Sequence, residues 1–581
     1  MRQWMVAAKK ADFYVIAEKF HVDPVVARII RNREVIGEKN IRIYLGGNLS
    51  DLSDPHQMKD MDRLVEILAQ KIRKQVHIRI IGDYDVDGVT SSHLFLTALR
   101  RVGAKVDVVI PHRIQDGYGL SLHLLQQAKE DGVDTILTCD NGIAAIDEIA
   151  WAKAQKMTVL VTDHHAVPFE EHEGRRTEKK SLADAVVNPH QQDCGYPYKE
   201  LCGTGVAWNV IRVLYENYDM DKREAEDLLD FVAMATVCDV MSLTGENRIL
   251  VKEGLKRIRH TKNIGLQALM QACNVQPENI SAYHFGYVLG PCVNATGRLD
   301  TARHALRLFE TGQETEAEEI ARDLVDLNQE RKELTLQGVE MAKKLCEEGG
   351  YENDPVLVLF LPDVHESIAG LIAGRIREMY NRPVFVLTRG EEGVKGSGRS
   401  TENYSMYENM CGCAELFTKF GGHPMAAGLS LPEENVEKFR RKINENCPLT
   451  VEEVCPDIHI DMAMPVGYAS TELVHQFALL EPFGKDNPSP LFADRNLSIS
   501  RMWVIGKNRN VLRMSVLSEY GQPVPVIFFG DVETLFAYFT EKFGQEEVEN
   551  ALHGRKNRIL FSMVYTCLLY TSPSPRDRTR S

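Results

Sequence analysis

The chain has 581 residues, of which 44% are hydrophobic and 26% charged, and it contains 12 cysteines. This length exceeds what one hydrophobic core organises, so several domains are expected. The composition excludes collagen-like, disordered and disulfide-scaffold proteins. A formal net charge of -15 argues against indiscriminate coating of nucleic acid, although an acidic protein can still carry a basic groove.

The apolar runs are short and the cysteines are dilute. No run approaches the roughly 20 residues of a membrane helix, and charges interrupt the start of the chain where a signal peptide would be apolar. We therefore predict a cytoplasmic protein that does not contact membranes. Because no CxxC pair occurs, we expect most of the cysteines to be buried, reduced thiols.

Apolar periodicity divides the chain into segments. Residues 1–75 have the i, i+3, i+4 spacing of amphipathic helices. Residues 76–187 alternate short apolar runs with helical stretches, which is the pattern of a parallel sheet covered by helices. Residues 203–345 are mainly helical, and residues 351–430 return to strand, helix and strand with a glycine-rich turn. After the linker LEPFGKDNPSP, four strand-like runs predict a small β-barrel that is one strand short of five.

Carboxylates and imidazoles follow the predicted strands of the first α/β segment where these strands end. DYDVDG, CDNG and TDHH come directly after apolar runs, and CDV ends a fourth run that we interpret as a strand. Because ligand sites of open parallel sheets form at the carboxyl ends of strands, we expect these side chains to converge. An acidic helix N-cap is the alternative interpretation of DYDVDG. The set comprises Asp83, Asp85, Asp87, Asp140, Asp163, His164, His165 and Asp239.

Such a set is typical of a centre with two divalent cations. Neighbouring carboxylates repel one another unless cations lie between their oxygens, and carboxylate with imidazole favours Mn²⁺ or Mg²⁺ over a thiolate zinc site. A pair of such cations is suited to hydrolysis of a phosphate ester. No serine or cysteine is placed as a nucleophile among the motifs, so no covalent intermediate is expected.

GVKGSGRS, at residues 393–400, is a candidate anion site. A glycine-rich turn offers free backbone N–H groups and an arginine offers a bidentate fork, and together these can cradle a phosphate. A plain β-turn with a solvated arginine is the alternative.

The motifs DYDVDG, CDNG, DHH and CDV, in this order and spacing, resemble motifs I to IV of the DHH phosphoesterase superfamily. Flanking blocks are similar more specifically to the RecJ family of bacterial single-strand-specific 5′ exonucleases; they include PHRIQDGYGL, GPCVNATGRL, VKGSGRS and FGGHPMAAG. The resemblance covers about residues 1–566. It implies a metal-dependent 5′→3′ exonuclease that uses two Mn²⁺ or Mg²⁺ ions to hydrolyse single-stranded DNA to 5′-mononucleotides in DNA repair and recombination.

The resemblance also implies residue roles. The metal ligands would be Asp85, Asp87, Asp140, His164 and Asp239. The catalytic residues Asp83, Asp163 and His165 would be further ligands or would orient the ligands. The substrate-binding residues would be Arg113 and Arg399 on the 5′-phosphate, Tyr118 stacking on a base, Asn294 and Arg298 in the channel between domains, Gly396, Ser397 and Gly398 in a phosphate cradle, and His423 nearby. Cys292 stands where many relatives carry arginine.

The fold class implied is α/β, with a parallel-sheet DHH domain and a smaller α/β DHH-associated domain joined by helices and followed by an OB-like barrel. Trp503, Lys507, Arg509 and Arg513 are candidates for a single-strand platform on the barrel. The predicted domains are an N-terminal helical cap (1–75), the DHH catalytic domain (76–240), a helical connector (241–345), the DHH-associated substrate-binding domain (346–450), an incomplete OB-like domain (451–566) and a non-native Ser/Pro/Arg tail (567–581).

Two alternatives stay open at this point. Another DHH-superfamily phosphodiesterase, of the oligoribonuclease or cyclic-dinucleotide type, typically has a shorter chain without the OB-like segment. A catalytically inactive DHH scaffold typically loses the metal carboxylates, which are all present here. The expected partners are single-stranded DNA and, from the resemblance alone, a single-strand binding protein and a helicase, with the chain acting as a monomer.

Overall fold

The computed structural model describes residues 4–567 except residues 114–115, 117–118, 173–174, 352, 391–392, 456 and 507–508. Contacts divide the described residues into two compact units: the first holds those of 47–455 and 482–487, and the second holds those of 4–46, 457–481 and 488–567. The predicted helical segment 1–75 is therefore shared between the two units. Within the described ranges, no helix is both long and apolar enough to cross a bilayer.

The first elements of the chain belong to the second unit. Asp23 caps a helix whose first residue is Pro24, and the helix buries Val26, Ile29 and Ile30, as expected for an amphipathic helix with a proline at its first position. The elements are β1 (Trp4–Val6), α1 (Phe13–Phe20), α2 (Pro24–Asn32) and α3 (Glu38–Gly46).

A parallel sheet forms the centre of the first unit. Four of its five strands are mostly buried because helices cover both faces, whereas the edge strand Lys105–Val109 is partly exposed. The elements are α4 (Met61–Arg73), β2 (His77–Ile81), α5 (Val86–Arg101), β3 (Lys105–Val109), α6 (Leu122–Glu130), β4 (Thr135–Cys139), α7 (Ile146–Ala154), β5 (Thr158–Thr162), the hairpin β6 (Phe169–His172) and β7 (Arg175–Glu178), and β8 (Ala185–Val187).

The strand order of this sheet explains where its site lies. The order is β3-β2-β4-β5-β8, with every pair parallel. Ile78 and Ile80 pack in one cluster with side chains of α4 and α5, whereas Ile81 packs in another with α6 and α7. The chain leaves β2 for β3 on one side and then returns to β4 on the other. The carboxyl ends of β2 and β4 therefore flank the switch point at which open α/β sheets bind ligands.

A helical region follows the sheet, as predicted. A π-helical turn, Phe285–Leu289, joins two of its helices. The helices are α8 (Gly203–Asn217), α9 (Lys222–Glu226), α10 (Leu229–Cys238), α11 (Gly245–Ile258), α12 (Ile264–Ala272), α13 (Ala282–His284), α14 (Gly290–Leu299), α15 (Ala302–Glu310) and α16 (Glu314–Glu348).

A second sheet, with order β12-β13-β11-β10-β9, completes the first unit. Only the β9–β10 pair is parallel. The elements are β9 (Leu357–Phe360), α17 (Ala369–Tyr380), β10 (Val384–Gly390), β11 (Gly393–Arg399), α18 (Met406–Cys411), β12 (Lys419–His423), β13 (Ala426–Leu431) and α19 (Val436–Glu445).

The prediction of a glycine-rich turn in GVKGSGRS was wrong, because these residues form the central strand β11. Large side chains of neighbouring elements cover its glycines: a Cβ on Gly396 would lie 2.4 Å from Leu387 Cδ2, and one on Gly398 would lie 2.5 Å from Met406 Sδ. Glycine is present here because the strand is packed against bulky neighbours, not because the chain turns.

The rest of the second unit, as far as its residues are described, contains a curled β-sheet and three α-helices. β16 pairs with β15, β17 and β19, and β17 pairs with β18, so the predicted strand-like runs are confirmed. The elements are β14 (Ile458–Ile460), β15 (Met462–Ala463), α20 (Thr471–Gln476), β16 (Phe492–Ile505), β17 (Val511–Leu517), β18 (Pro523–Phe529), α21 (Val532–Phe543), α22 (Gln545–Leu552) and β19 (Leu560–Tyr565). Apart from Cys567, the predicted non-native tail lies outside the described residues.

Candidate metal centre and phosphate-binding cleft

The turn after β2 presents two carboxylates, the buried Asp83 and the partly buried Asp85. Asp85 is the N-cap of α5 and its Oδ1 accepts a hydrogen bond from the backbone N–H of Gly88 at 3.0 Å, so the helix-cap interpretation is confirmed for this residue. Asp83 is buried, and among the described residues its Oδ1 has no hydrogen-bond partner. Burial, and then the charge of Asp85, raise the pKa of Asp83 well above its usual range.

Asp87 is held by the beginning of α8. Its oxygens accept hydrogen bonds from the backbone N–H groups of Gly203 at 2.6 Å and Thr204 at 2.7 Å, and from the Thr204 hydroxyl at 2.6 Å. The positive end of the helix dipole stabilises the carboxylate. Asp87 Oδ2 also lies 3.6 Å from His164 Nε2. Asp87 therefore holds the beginning of α8 close to His164.

Asp140, directly after β4, has a left-handed backbone with a φ of 61°. Its Oδ1 lies 3.1 Å from His164 Nε2, and neither atom has a hydrogen-bond partner among the described residues. Burial, and then repulsion from Asp87, Asp85, Asp239 and Asp83, raise the pKa of Asp140 well above its usual range. A group with these properties is pre-arranged for a cation.

Asp163, after β5, orients its neighbours. It accepts hydrogen bonds from the backbone N–H groups of Ile143, His164 and His165 and from His165 Nδ1, at 2.7–3.0 Å. Burial alone would raise the pKa of Asp163, but the hydrogen bond with His165 and both imidazoles outweigh it and lower that pKa. Burial alone would lower the pKa of His165, but Asp163 outweighs it and raises the pKa to about 9. Asp163 is therefore placed to orient the ring of His165 and to fix the backbone of His164.

The interpretation of Asp239 as a strand-end residue was wrong, because Asp239 is the C-cap of helix α10. The ten residues of α10 are apolar on nearly all sides because the helix is buried, and a short apolar run of this kind does not distinguish strand from helix. The position is nevertheless close to the other carboxylates, with Asp239 Oδ2 lying 3.6 Å from His164 Nε2.

Together these side chains form a centre that fits divalent cations. Three overlapping groups each bring their ligand atoms within 4.8 Å of one another. The unpartnered Asp83 Oδ1, Asp140 Oδ1 and His164 Nε2 would be costly to bury without a cation. The oxygen-rich donor set with imidazole suits Mn²⁺ or Mg²⁺. The groups are Asp83, Asp85 and Asp140; Asp87, His164 and Asp239; and Asp140, His164 and His165.

A cleft of about 290 Å³ opens beside this centre. At its other side the Arg113 guanidinium lies over the Tyr84 ring, 4.7 Å from the ring centroid, and Arg298 Nη1 donates to the Ser367 carbonyl at 2.6 Å. Burial, and then repulsion from Arg113, Arg331 and Arg399, lower the pKa of Arg298 to about 10. A guanidinium cluster of this kind favours a bound anion. The cleft is lined by Asp83, Tyr84, Asp85, Arg113, Cys238, Asn294 and Arg298.

Arg399 joins this cluster from the second sheet. Its Nη1 donates to Ser397 Oγ at 3.2 Å and to the Gly398 carbonyl at 2.7 Å. Backbone N–H groups of β11 do not form the predicted phosphate cradle, because β11 pairs on both sides with β10 and β13. Only side chains such as Arg399 and Ser397 are available to an anion. Arg399 and His423 flank Ala426 on either side in register, which places them on one face of the sheet.

Comparison with known proteins agrees with this architecture. The DHH family N-terminal domain matches residues 77–236, the DHHA1 domain residues 353–447, and the RecJ OB domain residues 460–564. The single-stranded-DNA-specific exonuclease RecJ of Haemophilus influenzae is 34% identical over 518 residues, which cover 86% of this chain and 88% of that protein. The chain belongs to the RecJ family. The predicted family and fold class are thus confirmed.

Two further RecJ proteins extend the comparison. The single-stranded-DNA-specific exonuclease RecJ of Bacillus subtilis is 33% identical over 87% of this chain, and the match spans 63% of that protein. The crystal structure of RecJ in complex with Mn²⁺ from Thermus thermophilus superposes with a TM-score of 0.75 at 26% identity, covering 91% of this chain and 76% of that one. Solved RecJ structures hold Mn²⁺ or Mg²⁺, the cations favoured by the donor set here.

Most of the residues predicted from the RecJ motifs lie at the two sides of the cleft. Tyr118 lies outside the described residues. The prediction missed Tyr84, which supports Arg113, and Arg331 of α16, whose charge helps to lower the pKa of Arg298. Tyr84 stands inside DYDVDG and could have been noticed there, whereas Arg331 lies in an ordinary charged stretch that carries no motif.

Proposed function

We propose that this protein is a metal-dependent 5′→3′ exonuclease that hydrolyses single-stranded DNA to 5′-mononucleotides in repair and recombination. The observation that carries the proposal is one cleft with guanidinium groups on one side and the aspartate–histidine centre on the other. An anion site that binds a terminal phosphate beside a hydrolytic centre holds the first phosphodiester at a fixed distance from that centre. This arrangement favours cleavage from an end.

In the proposed reaction, Arg113, Arg298 and Arg399 bind the 5′-phosphate and so place the first phosphodiester against the carboxylates. The desolvated guanidinium groups attract a doubly charged terminal phosphate more strongly than an internal diester. Asn294 is fixed at the same cleft, because its Oδ1 accepts a hydrogen bond from the backbone N–H of Val86 at 3.2 Å. These contacts orient the strand before any bond is broken.

The other residues of the centre position ligands and control protons. Divalent cations bound here would neutralise charge on the phosphate oxygens and lower the pKa of water, so that hydroxide is available at neutral pH. Asp85, Asp87, Asp140, His164 and Asp239 would hold them together with Asp83. Asp163 would orient the His165 ring, and Asp87 also anchors α8. Cys238 also lines the cleft, but burial, followed by the charges of Asp85 and Asp239, raises its pKa. The thiol stays protonated, which argues against a covalent intermediate.

The second unit supports single-strand binding. Trp503 lies on β16 beneath two guanidinium groups, Arg501 at 5.0 Å and Arg513 at 6.0 Å from its ring. Aromatic and basic side chains on one sheet face suit stacked bases and their phosphates. Arg509 is exposed at the β16–β17 turn, and Lys507 lies outside the described residues. We also propose that the enzyme acts as a cytoplasmic monomer with a single-strand binding protein and a helicase, as the RecJ resemblance implies.

The test uses purified protein, Mn²⁺ and 5′-phosphorylated single-stranded DNA labelled at either end. Release of mononucleotides from the 5′ end at once, with no cleavage of a closed single-stranded circle or of duplex DNA, is expected. Asp140→Ala should be inactive and yet still bind DNA. Cleavage of dinucleotides or pyrophosphate alone would contradict the proposal and move the enzyme to another DHH activity, while activity on the circle would contradict action from an end.

The arginine cluster predicts a preference for a 5′-phosphate. Arg399→Gln removes one charged donor from the cluster, and such hydrogen bonds contribute about 1.5–3 kcal/mol. We therefore expect kcat/KM on 5′-phosphorylated DNA to fall roughly 10- to 150-fold, with little change on 5′-hydroxyl DNA. Arg389→Gln is the control, because Arg389 is exposed on β10 of the same sheet and pairs with Glu433. An equal loss of kcat/KM on both substrates would show that Arg399 does not recognise the 5′-phosphate.

A further inference from the structure

Two cysteine thiols meet beside the helix that carries Asn294 and Arg298. Cys273 directly follows α12 and Cys292 lies in the first turn of α14, and their Sγ atoms are 3.8 Å apart. Cys273 is partly exposed and Cys292 is buried. All twelve cysteines are free thiols, and six of them are buried, fewer than the predicted majority.

Polar groups surround Cys292, whose thiol donates a hydrogen bond to the Val288 carbonyl at 3.3 Å. The Asn328 side-chain amide donates to Cys292 Sγ at 3.3 Å. The hydrogen bond with Cys273 lowers the pKa of Cys292 most, and the Asn328 amide and the charges of Lys332 and Arg331 lower it further, against the effect of burial. A thiolate in contact with a second, solvent-accessible thiol has both the nucleophile and the partner that oxidation to a disulfide requires.

We propose that Cys273 and Cys292 are a modification site at which a reversible disulfide forms. With hydrogen peroxide as oxidant, one thiolate attacks a peroxide oxygen and becomes a sulfenic acid, releasing hydroxide. The second sulfur then attacks the first and displaces its hydroxyl group as hydroxide. The two thiol protons convert both hydroxides to water, so two thiols and one peroxide give one disulfide and two waters. A dithiol reductant reverses the bond by exchange.

The bond would act on the cleft through α14. The sulfur atoms must approach from 3.8 Å to about 2 Å, which draws Cys292 away from Asn328 of α16. Arg298 and Asn294 lie on the same helix and contact Ser367 and Val86. A shift of these side chains by a fraction of an ångström is enough to slow catalysis. This consequence for the rate rests on the proposed nuclease function, whereas formation of the bond does not.

Mass spectrometry tests the bond directly. Trypsin leaves both cysteines on one peptide, residues 263–298, because no lysine or arginine lies between them before Arg298, while Glu278 is the one acidic residue between the two cysteines. Full-length protein is treated with peroxide, the remaining thiols are blocked, and the protein is cut with trypsin and a glutamate-specific protease. A linked pair of peptides that disappears after dithiothreitol is expected, and it should be absent from Cys273→Ser.

The peptide analysis can also show that the disulfide does not form. If Cys273 and Cys292 are recovered only as separately blocked or over-oxidised residues under conditions that oxidise the exposed Cys411, the disulfide is overturned. This readout does not depend on activity, so a chain without nuclease activity would refute the proposed function and still give an answer about the bond.

Turnover tests the consequence. Peroxide should lower kcat/KM of the wild type at least threefold and dithiothreitol should restore it, while Cys273→Ser should keep its rate in both conditions. Cys411→Ser is the matched control and should behave like the wild type. A linked peptide pair with an unchanged rate would overturn the control of catalysis, and an equal loss in Cys273→Ser would assign the effect to other residues.

Discussion

At Asp140 the geometry that favours cation binding lowers the stability of the folded chain without cations. The residue has a left-handed backbone, is buried, and has a pKa raised well above its usual range by burial and by four neighbouring carboxylates. Each of these features costs free energy in the protein without cations. A sequence retains them where function needs a pre-arranged site, which is why stability and activity trade off at such positions.

Asp140→Asn should therefore separate stability from activity. The amide has the same shape and tolerates a left-handed backbone, but it removes one charge from the cluster. We expect the metal-free variant to melt a few degrees above the wild type, to gain less stability from Mn²⁺, and to lose cleavage. Thermal unfolding with and without Mn²⁺ measures this; a lower melting temperature without metal would show that Asp140 stabilises the empty centre.

His93, within α5, predicts a pH dependence of stability. It packs against Phe231 with ring centroids 4.6 Å apart, and burial lowers its pKa from the ordinary 6.5 to about 4. The unfolded chain binds a proton near pH 6.5 and the folded chain does not, so the stabilising effect of neutral His93 is complete above that pH and is lost as the pH falls towards 4. The loss amounts to about 3 kcal/mol.

Chemical denaturation at pH 7 and pH 4.5 checks this prediction. The free energy of unfolding of His93→Leu should fall less between the two pH values than that of the wild type, by up to about 3 kcal/mol. The exposed His123 on α6 supplies the control, since His123→Leu should follow the wild type. Parallel behaviour of all three proteins would mean that His93 is protonated in the folded state.

The positions of site residues could be predicted where a motif stands at a strand end, whereas their roles stay predictions. Asp83, Asp85, Asp140 and the two histidines were found this way, because parallel strands bring their carboxyl ends to one edge. Which of these residues would bind a cation and which would orient a neighbouring side chain was not predictable. Asp163 and Asp87 accept hydrogen bonds from several backbone and side-chain donors, whereas Asp140 Oδ1 has no partner among the described residues. Tertiary packing brings the donors of Ile143 and Thr204 to these carboxylates.

At the level of elements, strands with continuous apolar sequence were predicted well, whereas α10 and β11 were interpreted wrongly. Helix α10 is apolar all round because it is buried, so its periodicity gives no helical signal. Strand β11 contains glycines that are required by Leu387, Phe385 and Met406 of neighbouring elements. In both cases the deciding information lies in the partner that covers the segment and is distant in sequence.

Helix α8 tests whether metal binding depends on the close approach of a helix to the carboxylates of the metal centre. A Cβ on Gly203 would lie 2.6 Å from Asp140 Cβ, whereas one on Gly205 would be no closer than 3.5 Å to its neighbours. Gly203→Ala should push the start of α8 away from Asp87 and Asp140, and we expect weaker Mn²⁺ binding and at least tenfold lower kcat. Calorimetric titration and turnover measure this, with Gly205→Ala as the matched control. Equal behaviour of the two variants would show that the centre tolerates movement of α8.

At the scale of the whole molecule, the chain pairs a unit that holds the chemistry with a unit that has a basic aromatic sheet face. On the second unit, Trp503, Arg513 and Ile527 share one cross-strand row. Met502, Leu512 and Met514 point to the core. The alternation that buries one face of the sheet thus presents Trp503 and Arg513 on the other. The sequence contained this pattern, but only the register of the strands assigns the aromatic and basic residues to one face.

Trp503→Ala should therefore weaken binding of long single strands without changing the chemical step. Stacking of one base on an aromatic ring contributes about 1–3 kcal/mol, so the KM for an oligonucleotide of several tens of nucleotides should rise roughly 5- to 150-fold. The kcat for that substrate, and kcat/KM for a tetranucleotide, which offers few bases for stacking, should stay unchanged. Trp4→Ala is the control, because Trp4 lies in the same unit on a different sheet, paired with β14. A fall in kcat on both substrates would show that Trp503 stabilises the catalytic unit. An unchanged KM would show that this sheet face does not bind DNA.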